Sequence, residues 1–396
     1  MSKIKLLFSV FIVVLLLFSC TSTDLQNASD KTSNEIAALV TTPNINNKYI
    51  VVLNENIQQK SIGLQRRTEN VKAKAKGLMN SIGLNDEPEE IFQTALNGFT
   101  VRLNPDKAKE LAKDKSVKFI EPDQIMSISP ITIEGKTTST TTASKSQTIP
   151  WGITRVGGGT TTSTATAWII DTGIDMTHPD LNVDATRSVS FIGTGTTPND
   201  QNGHGSHVSG IIAAKNNTIG VVGVAPGTTL VAIRVLDANG NGTTSGVIAG
   251  INYVAENGKV GDVANLSLGG AVSSALDQAV ITASTNVKFV IAAGNNAANA
   301  TNYSPAHVNG SNIFTISAMG SSDRWASFSN FGNPPIDYCA PGVSIYSTYM
   351  GGGYATLSGT SMAAPHVAGI LLLGAIKTNG YVKNDPDNVA DPIAHR

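Results

Sequence analysis

Apolar positions along the chain fall into runs that differ in length and spacing. The first, Leu6 to Phe18, follows Lys3 and Lys5 and leads into Ser19 and Cys20. This is the layout of an export signal, which is set aside from the fold. Residues 21–47 are polar and read as a tether. Lys48 to Leu53 predicts a strand. Residues 58–83, with few breakers and many Lys, Gln and Leu, predict a helix, and Ile91 to Leu103 predicts one or two strands turning near Asn97-Gly98. Asn104-Pro105-Asp106 is a helix start ahead of good helix formers from Lys107 to Lys115, and Val117 to Ile120 predicts a last strand. The order is close to β-α-β-β-α-β, a small α+β sandwich of ferredoxin-like type. Beyond residue 150 the pattern changes. Short, wholly apolar runs such as Ala165–Ile170 and Val287–Ala293 end in turn residues, as buried strands of an α/β sheet do.

Composition supports a division into two folded units. The 396 residues correspond to two or three domains at ~150 residues each, and the 41% hydrophobic fraction is enough for a sizeable core. Residues 48–135 carry 13 Lys+Arg and 12 Asp+Glu; residues 151–396 carry only 10 and 14 over nearly three times the length. The second unit is instead rich in Gly, Ala, Ser, Thr and Asn. Between the units, residues 131–150 form a Thr/Ser-rich linker with no core-forming pattern. The reading is therefore 1–20 signal, 21–47 tether, 48–130 first unit, 131–150 linker and 151–396 second unit. A net charge of −1 gives no field to favour nucleic acid as partner. Two cysteines, Cys20 and Cys339, exclude a disulfide-stapled scaffold, and Cys339 reads as a small buried apolar residue. No apolar run after residue 20 is long enough to cross a bilayer. Leu17-Phe18-Ser19-Cys20 resembles the cleavage box of bacterial lipoproteins, which implies a lipid anchor on Cys20 of the precursor. The other reading is an ordinary secretory signal.

Candidate chemistry is confined to the second unit. Ala165 to Asp175 reads as a buried strand delivering Asp171 to its C-terminal end, where open α/β sheets place their sites. Alone, this is also the look of a turn aspartate. Asn202-Gly203-His204-Gly205-Ser206-His207 leads into an apolar helix, with His204 at its entrance. A His pair at this spacing suggests a metal site, but the Glu of a metallopeptidase helix and an obvious third ligand are missing, so His207 reads as packed and hydrogen-bonded. Ser358-Gly359-Thr360-Ser361 opens a second very apolar helix. Ser361 stands at its N-terminus, Thr360 suits a capping role, and His366 reads as a core residue. A hydroxyl nucleophile needs an imidazole to take its proton and a carboxylate to orient that imidazole. Asp171, His204 and Ser361 provide one of each. Asn295, after the strand ending at Ala293-Gly294, offers an amide donor for an oxyanion, together with the Ser361 backbone N–H.

With these residues in place the chain resembles the subtilisin-like serine peptidases. The motifs are Ile170-Asp171-Thr172-Gly173, His204-Gly205-Ser206-His207-Val208, Asn265-Leu266-Ser267-Leu268-Gly269-Gly270, Ala293-Gly294-Asn295 and Gly359 to His366, in the family's order. One departure is Ser206, where the family usually has Thr. The resemblance implies an α/β fold with a mainly parallel central sheet and helices on both faces. It also implies a serine endopeptidase made as a self-processing precursor, acting on extended polypeptides without a cofactor for the chemistry. Ser267, Leu268, Gly269 and Gly294 would line a roomy apolar pocket for the residue before the cut. Asp337 would match a carboxylate ligand of structural calcium. The first unit would be the inhibitory propeptide, ending near Val117 to Asp123, with the cut between about 125 and 150 and the mature enzyme starting near Trp151. The enzyme would be an exported monomer, extracellular or in the cell envelope, freed from any anchor by that cut. The rival reading is a catalytically silent binding protein, which predicts a damaged triad. A lipase or esterase predicts a Gly-x-Ser-x-Gly elbow, and no serine here has one.

Overall fold

A computed structural model describes residues 47–54, 63–137 and 146–396. The signal, the tether, Cys20 and the first residues expected in the 58–83 helix lie outside them. In the first unit, strand β1 (Lys48–Leu53) is followed by helix α1 (Leu64–Ser81), β2 (Ile91–Phe92), β3 (Gly98–Arg102), α2 (Pro105–Leu111) and β4 (Val117–Pro122). They make an antiparallel sheet in the order β2-β3-β1-β4. Asn104 caps α2 by accepting from Lys107 N at 2.9 Å, with Pro105 in the first helical turn, as its sequence predicts. All six residues of β1 are buried. Alternate residues point to opposite faces, and Ile50 and Val52 pack in one core with Val247, Ile248 and Ile251 of the second unit. Both faces of this small sheet are covered, which is why β1 reads as an unbroken apolar run.

The second unit is built on a nine-stranded sheet. Its core strands are β7 (Thr166–Asp171), β9 (Thr229–Arg234), β11 (Val263–Leu266), β13 (Lys288–Ala292), β14 (Ile313–Met319) and β15 (Ile336–Pro341), all parallel, with β8 (Val189–Ser190) at one edge. Four helices cover it: α4 (His204–Ala213), α5 (Thr244–Asn257), α6 (Ser274–Ala283) and α7 (Thr360–Leu373), with the short α3 (Trp151–Arg155) before β7. Strand β7 shows why two faces are needed. Ala167 and Ile169 share a core with Val208, Ile211, Val367 and Ile370, from α4 and α7. Trp168 and Ile170 share the other core with Val247 and Val280, from α5 and α6.

Two stretches without a core-forming pattern form strands. Within the linker, Thr132–Thr137 forms β6, antiparallel to β17 (Gly353–Ser358), which also pairs with β16 (Ile345–Tyr349). The local sequence TIEGKT has no core pattern; its strand conformation comes from the β17 edge it lies on. Residues 138–145 are outside the described chain, and Thr148 N already donates to Gly220 O at 2.8 Å. The tail after Asn379 is likewise structured. Strands β18 (Lys377–Tyr381) and β19 (Pro392–His395) extend the main sheet beyond β15. Finally, β5 (Ile125–Ser127) continues from β4 and lies between β10 (Asn241–Thr243) and β12 (Gly269–Gly270), antiparallel to both.

Candidate active site

Asp171 is the last residue of β7 and His204 the first of α4, both fully buried. Asp171 Oδ1 accepts from His204 Nδ1 at 2.8 Å and from Thr172 N at 2.7 Å; its Oδ2 lies 3.0 Å from the same Nδ1. With its Nδ1 proton engaged by the carboxylate, the imidazole turns the lone pair of Nε2 outward. That Nε2 is buried and has no hydrogen-bond partner. Glycine is required next to it. A Cβ on Gly205 would lie 2.0 Å from Gly173 O and 3.2 Å from Asp171 Oδ1. Asp200, which nothing in the sequence marked, ties the two turns together. Its Oδ1 accepts from Thr172 Oγ1 (2.9 Å) and Gly203 N (2.9 Å), and its Oδ2 from Ser206 Oγ (2.7 Å) and N (2.9 Å). Burial pushes the Asp200 carboxyl up from its ordinary range, against these donors. The hydroxyl of Ser206 is therefore in use, and it also accepts from Asp175 N at 2.8 Å.

Ser361 lies in the first turn of α7, which packs on α4. Its Oγ donates to Ser267 O at 3.2 Å rather than to His204, and Ser267 Oγ returns a bond to Ser361 O at 3.0 Å. Thr360 does not cap α7. The cap position is Gly359, which has no side chain to do so, and Thr360 is held instead by Asn295. Asn295 Oδ1 accepts from Thr360 N (2.8 Å) and Thr360 Oγ1 (2.7 Å). This fixes the amide with its Nδ2 facing the groove.

The groove is filled by the chain itself. With β5 laid between β10 and β12, Ile128 N donates to Gly240 O at 3.1 Å. Asn295 Nδ2 then donates to Pro130 O at 2.8 Å. A side chain on Gly359 would come within 3.2 Å of Ile131 Cγ2, so the peptide after Pro130 runs directly over the start of α7. A cavity of ≈ 230 Å³ opens beside Ser129 and Pro130; its walls include Leu268, Gly269, Ala292 and Gly294, with Tyr303 and Ala306. Ser267 is not in that wall; it supports Ser361 as described. Two carboxylates anchor the incoming strand. Asp123 accepts from Ser245 N (2.9 Å) and Ser245 Oγ (2.6 Å) at the start of α5. Glu121 accepts from Ser273 Oγ and from Ala275 N (3.3 Å) at the start of α6. Burial raises both carboxyls, that of Glu121 to about 7.

The remaining expected residues are placed differently. His207 Nε2 faces the carbonyls of Ile345 and Ala355 (3.1 Å each), and burial lowers the ring to about 3, so it is a neutral packed histidine. His366 Nδ1 faces Met362 O at 2.8 Å, and burial lowers it to about 4. Asp337 accepts from Thr315 N at 2.8 Å, and burial raises it to about 6. Among the described residues no group of three or more His, Cys, Asp or Glu gathers as a metal site.

Residues 163–384 match the family described as the subtilase family, Peptidase_S8, and residues 48–129 match Peptidase inhibitor I9. The chain is 39% identical over 297 residues to alkaline serine exoprotease A of Vibrio alginolyticus, covering 72% of this chain but only about half (53%) of that protein. It is 38% identical over 334 residues to the M-protease of Shouchella clausii, covering 80% of this chain and 81% of the relative. Among solved structures, a cold adapted subtilisin-like serine proteinase matches at TM-score 0.54 and 37% identity, over 62% of this chain and 97% of that one.

Proposed function

The chain belongs to the subtilase family, and from that premise we propose that it is a serine endopeptidase written as its own first substrate, cutting the bond between Pro130 and Ile131. The observation that carries this reading is the Pro130 carbonyl resting on the Asn295 amide, with the chain crossing the groove uncut. Rotation of the Ser361 hydroxyl from Ser267 toward the unpartnered His204 Nε2 makes it a nucleophile. Ser361 Oγ adds to the Pro130 carbonyl carbon and its proton passes to His204 Nε2. Asp171 holds the imidazole and stabilises its positive charge. The oxyanion is received by Asn295 Nδ2 and the Ser361 backbone N–H. The C–N bond then breaks, His204 gives the proton to Ile131 N, and water hydrolyses the ester on Ser361.

On this reading residues 48–130 are the inhibitory propeptide, and Leu268, Gly269 and Gly294 shape the pocket for the residue before the cut. That pocket is apolar and has room beyond Pro130, which favours larger apolar side chains in substrates. The precursor is exported and held by lipid on Cys20. Because Cys20 precedes Pro130, the cut frees a monomeric catalytic unit into the cell envelope or medium. The decisive experiment compares purified wild-type protein with Ser361→Ala. The wild type should yield a new N-terminus at Ile131 by mass spectrometry and hydrolyse casein; Ser361→Ala should remain an intact, inactive precursor. Casein hydrolysis by pure Ser361→Ala protein would overturn the assignment.

A further inference from the structure

The groove continues past the cut, and there the chain shows more than backbone pairing. We infer that the outer edge of β17, with the hydroxyls of Ser344 and Ser358, is a substrate subsite on the leaving-group side that selects a carboxylate at the fourth residue after the cut. The inference rests on the peptidase reading and on Ile131 as the first residue after the cut. In the precursor β6 occupies this edge, with Ser358 opposite Thr132, Leu357 opposite Ile133 and Thr356 opposite Gly135. When the cut chain leaves, β17 becomes an edge strand with free N–H and C=O groups, which an extended substrate can pair with in turn.

Glu134 is the fourth residue from the cut. Its Oε1 accepts from Ser358 Oγ at 2.6 Å and from Ser344 Oγ at 3.0 Å. Two hydroxyl donors thus converge on one carboxylate oxygen. They are held in place for it. Ser358 is buried, and its Oγ accepts from Ser344 N at 2.8 Å, leaving its own proton for Glu134. Ser344 has φ +52°, a left-handed conformation disfavoured for residues other than glycine. A serine at such a position is best explained by its hydroxyl. Farther along, Lys136 Nζ lies 4.8 Å from the centre of the Tyr349 ring, so the surface holds a peptide for at least six residues past the cut. β6 has almost no apolar anchor of its own; Thr132 to Lys136 are all exposed. Its seat therefore depends on these polar contacts and on the ladder.

The test uses self-processed enzyme and internally quenched peptides that share one sequence up to the cut and continue Ile-Thr-Ile-X-Gly-Lys, with X as Glu, Gln or Lys. Because Glu134 is solvent-exposed, the preference for Glu over Gln is expected to be modest, about 3- to 10-fold in kcat/KM, and to lie in KM. Ser344→Gly relieves the left-handed strain while removing one donor. It should lower the Glu:Gln ratio, with the Ser358 hydroxyl left as the remaining donor, and leave hydrolysis of a short peptide with only a chromogenic leaving group unchanged. Equal rates for Glu and Gln in the wild type, or an undiminished ratio in Ser344→Gly, would overturn the subsite. Failure to hydrolyse even the short chromogenic peptide would instead overturn the peptidase reading beneath it.

Discussion

A single amide shows how the site is prepared before substrate arrives. Asn295 spends its oxygen on both donors of Thr360, so its nitrogen can face only the groove. Asn295→Leu should lower kcat by roughly 10²–10³, the loss known for subtilisin when its oxyanion asparagine is removed, with KM little changed. Thr360 acts through that amide as a positioning residue. Thr360→Val, which keeps the shape and loses the hydroxyl, should lower kcat by about 10-fold, one charge-free hydrogen bond's worth. Thr360→Ser should restore activity, and Thr360→Val should add nothing in an Asn295→Leu background; steady-state kinetics on the four proteins decides this. An additive loss would mean that Thr360 acts independently of Asn295, as through the buried Gly294 N that its Oγ1 also accepts from at 3.1 Å. Residues of this kind are hard to read from sequence. Asp171 stands out because it ends an apolar run just before a turn glycine, and His204 and Ser361 because they open apolar helices close behind one. Thr360 looks like a helix cap because Asn295, which it holds, lies 65 residues away, and Asp200 looks like any loop aspartate because its role appears only where it ties Thr172 to the start of α4.

One element that joins the two units is the strand leaving the propeptide, and two of its carboxylates sit at two helix starts. Asp123 meets the first N–H groups of α5, and Glu121 those of α6. Sequence alone places a last strand here but not its caps, since the partners lie more than 120 residues downstream. β6 is illegible for a related reason: a polar hexapeptide takes its strand form from β17. Burial in this interface raises Glu121 to about 7 from an ordinary 4.5. A carboxyl raised in the complex binds a proton there that the free propeptide releases. Propeptide affinity is therefore full below about pH 4.5 and falls as pH rises through about 7, by at most ~10-fold per pH unit for this group. Asp123 shifts in the same direction and adds to the trend. Inhibition of the mature enzyme by added propeptide (residues 48–130), measured from pH 4.5 to 8, should weaken with that sign. Glu121→Gln should flatten the curve over the same interval. An inhibition constant that does not change with pH, or a steeper dependence in Glu121→Gln, would show that Glu121 stays ionised in the interface.

Across the whole molecule, the same two contacts fall on crossovers of the parallel sheet, where long-range pairing is expected to limit the rate of folding. The central sheet is parallel, so β9, β11 and β13 join only through crossovers, and long-range pairings must form before any helix is buried. The crossover from β9 to β11 is α5, and that from β11 to β13 is α6. The propeptide grips the starts of both, and its sheet presents Ile50 and Val52 to the α5 side of the core. A preformed small domain can thus hold two crossovers at their final separation before the strands between them have closed. The expectation is kinetic. Acid-denatured processed enzyme, residues 131–396, returned to neutral buffer, should regain activity faster when residues 48–130 are supplied separately. The double variant Glu121→Ala, Asp123→Ala of that fragment should lose most of the acceleration while remaining folded itself, because both carboxylates bond the partner helices and within the fragment Asp123 adds only an ion pair to Lys48 at 3.7 Å. Recovery followed by hydrolysis of a short chromogenic peptide, with circular dichroism of the fragment as the control, separates the two effects. If the double variant accelerates refolding as well as the wild type, the template is the apolar sheet face alone, and the caps serve only to hold the finished complex.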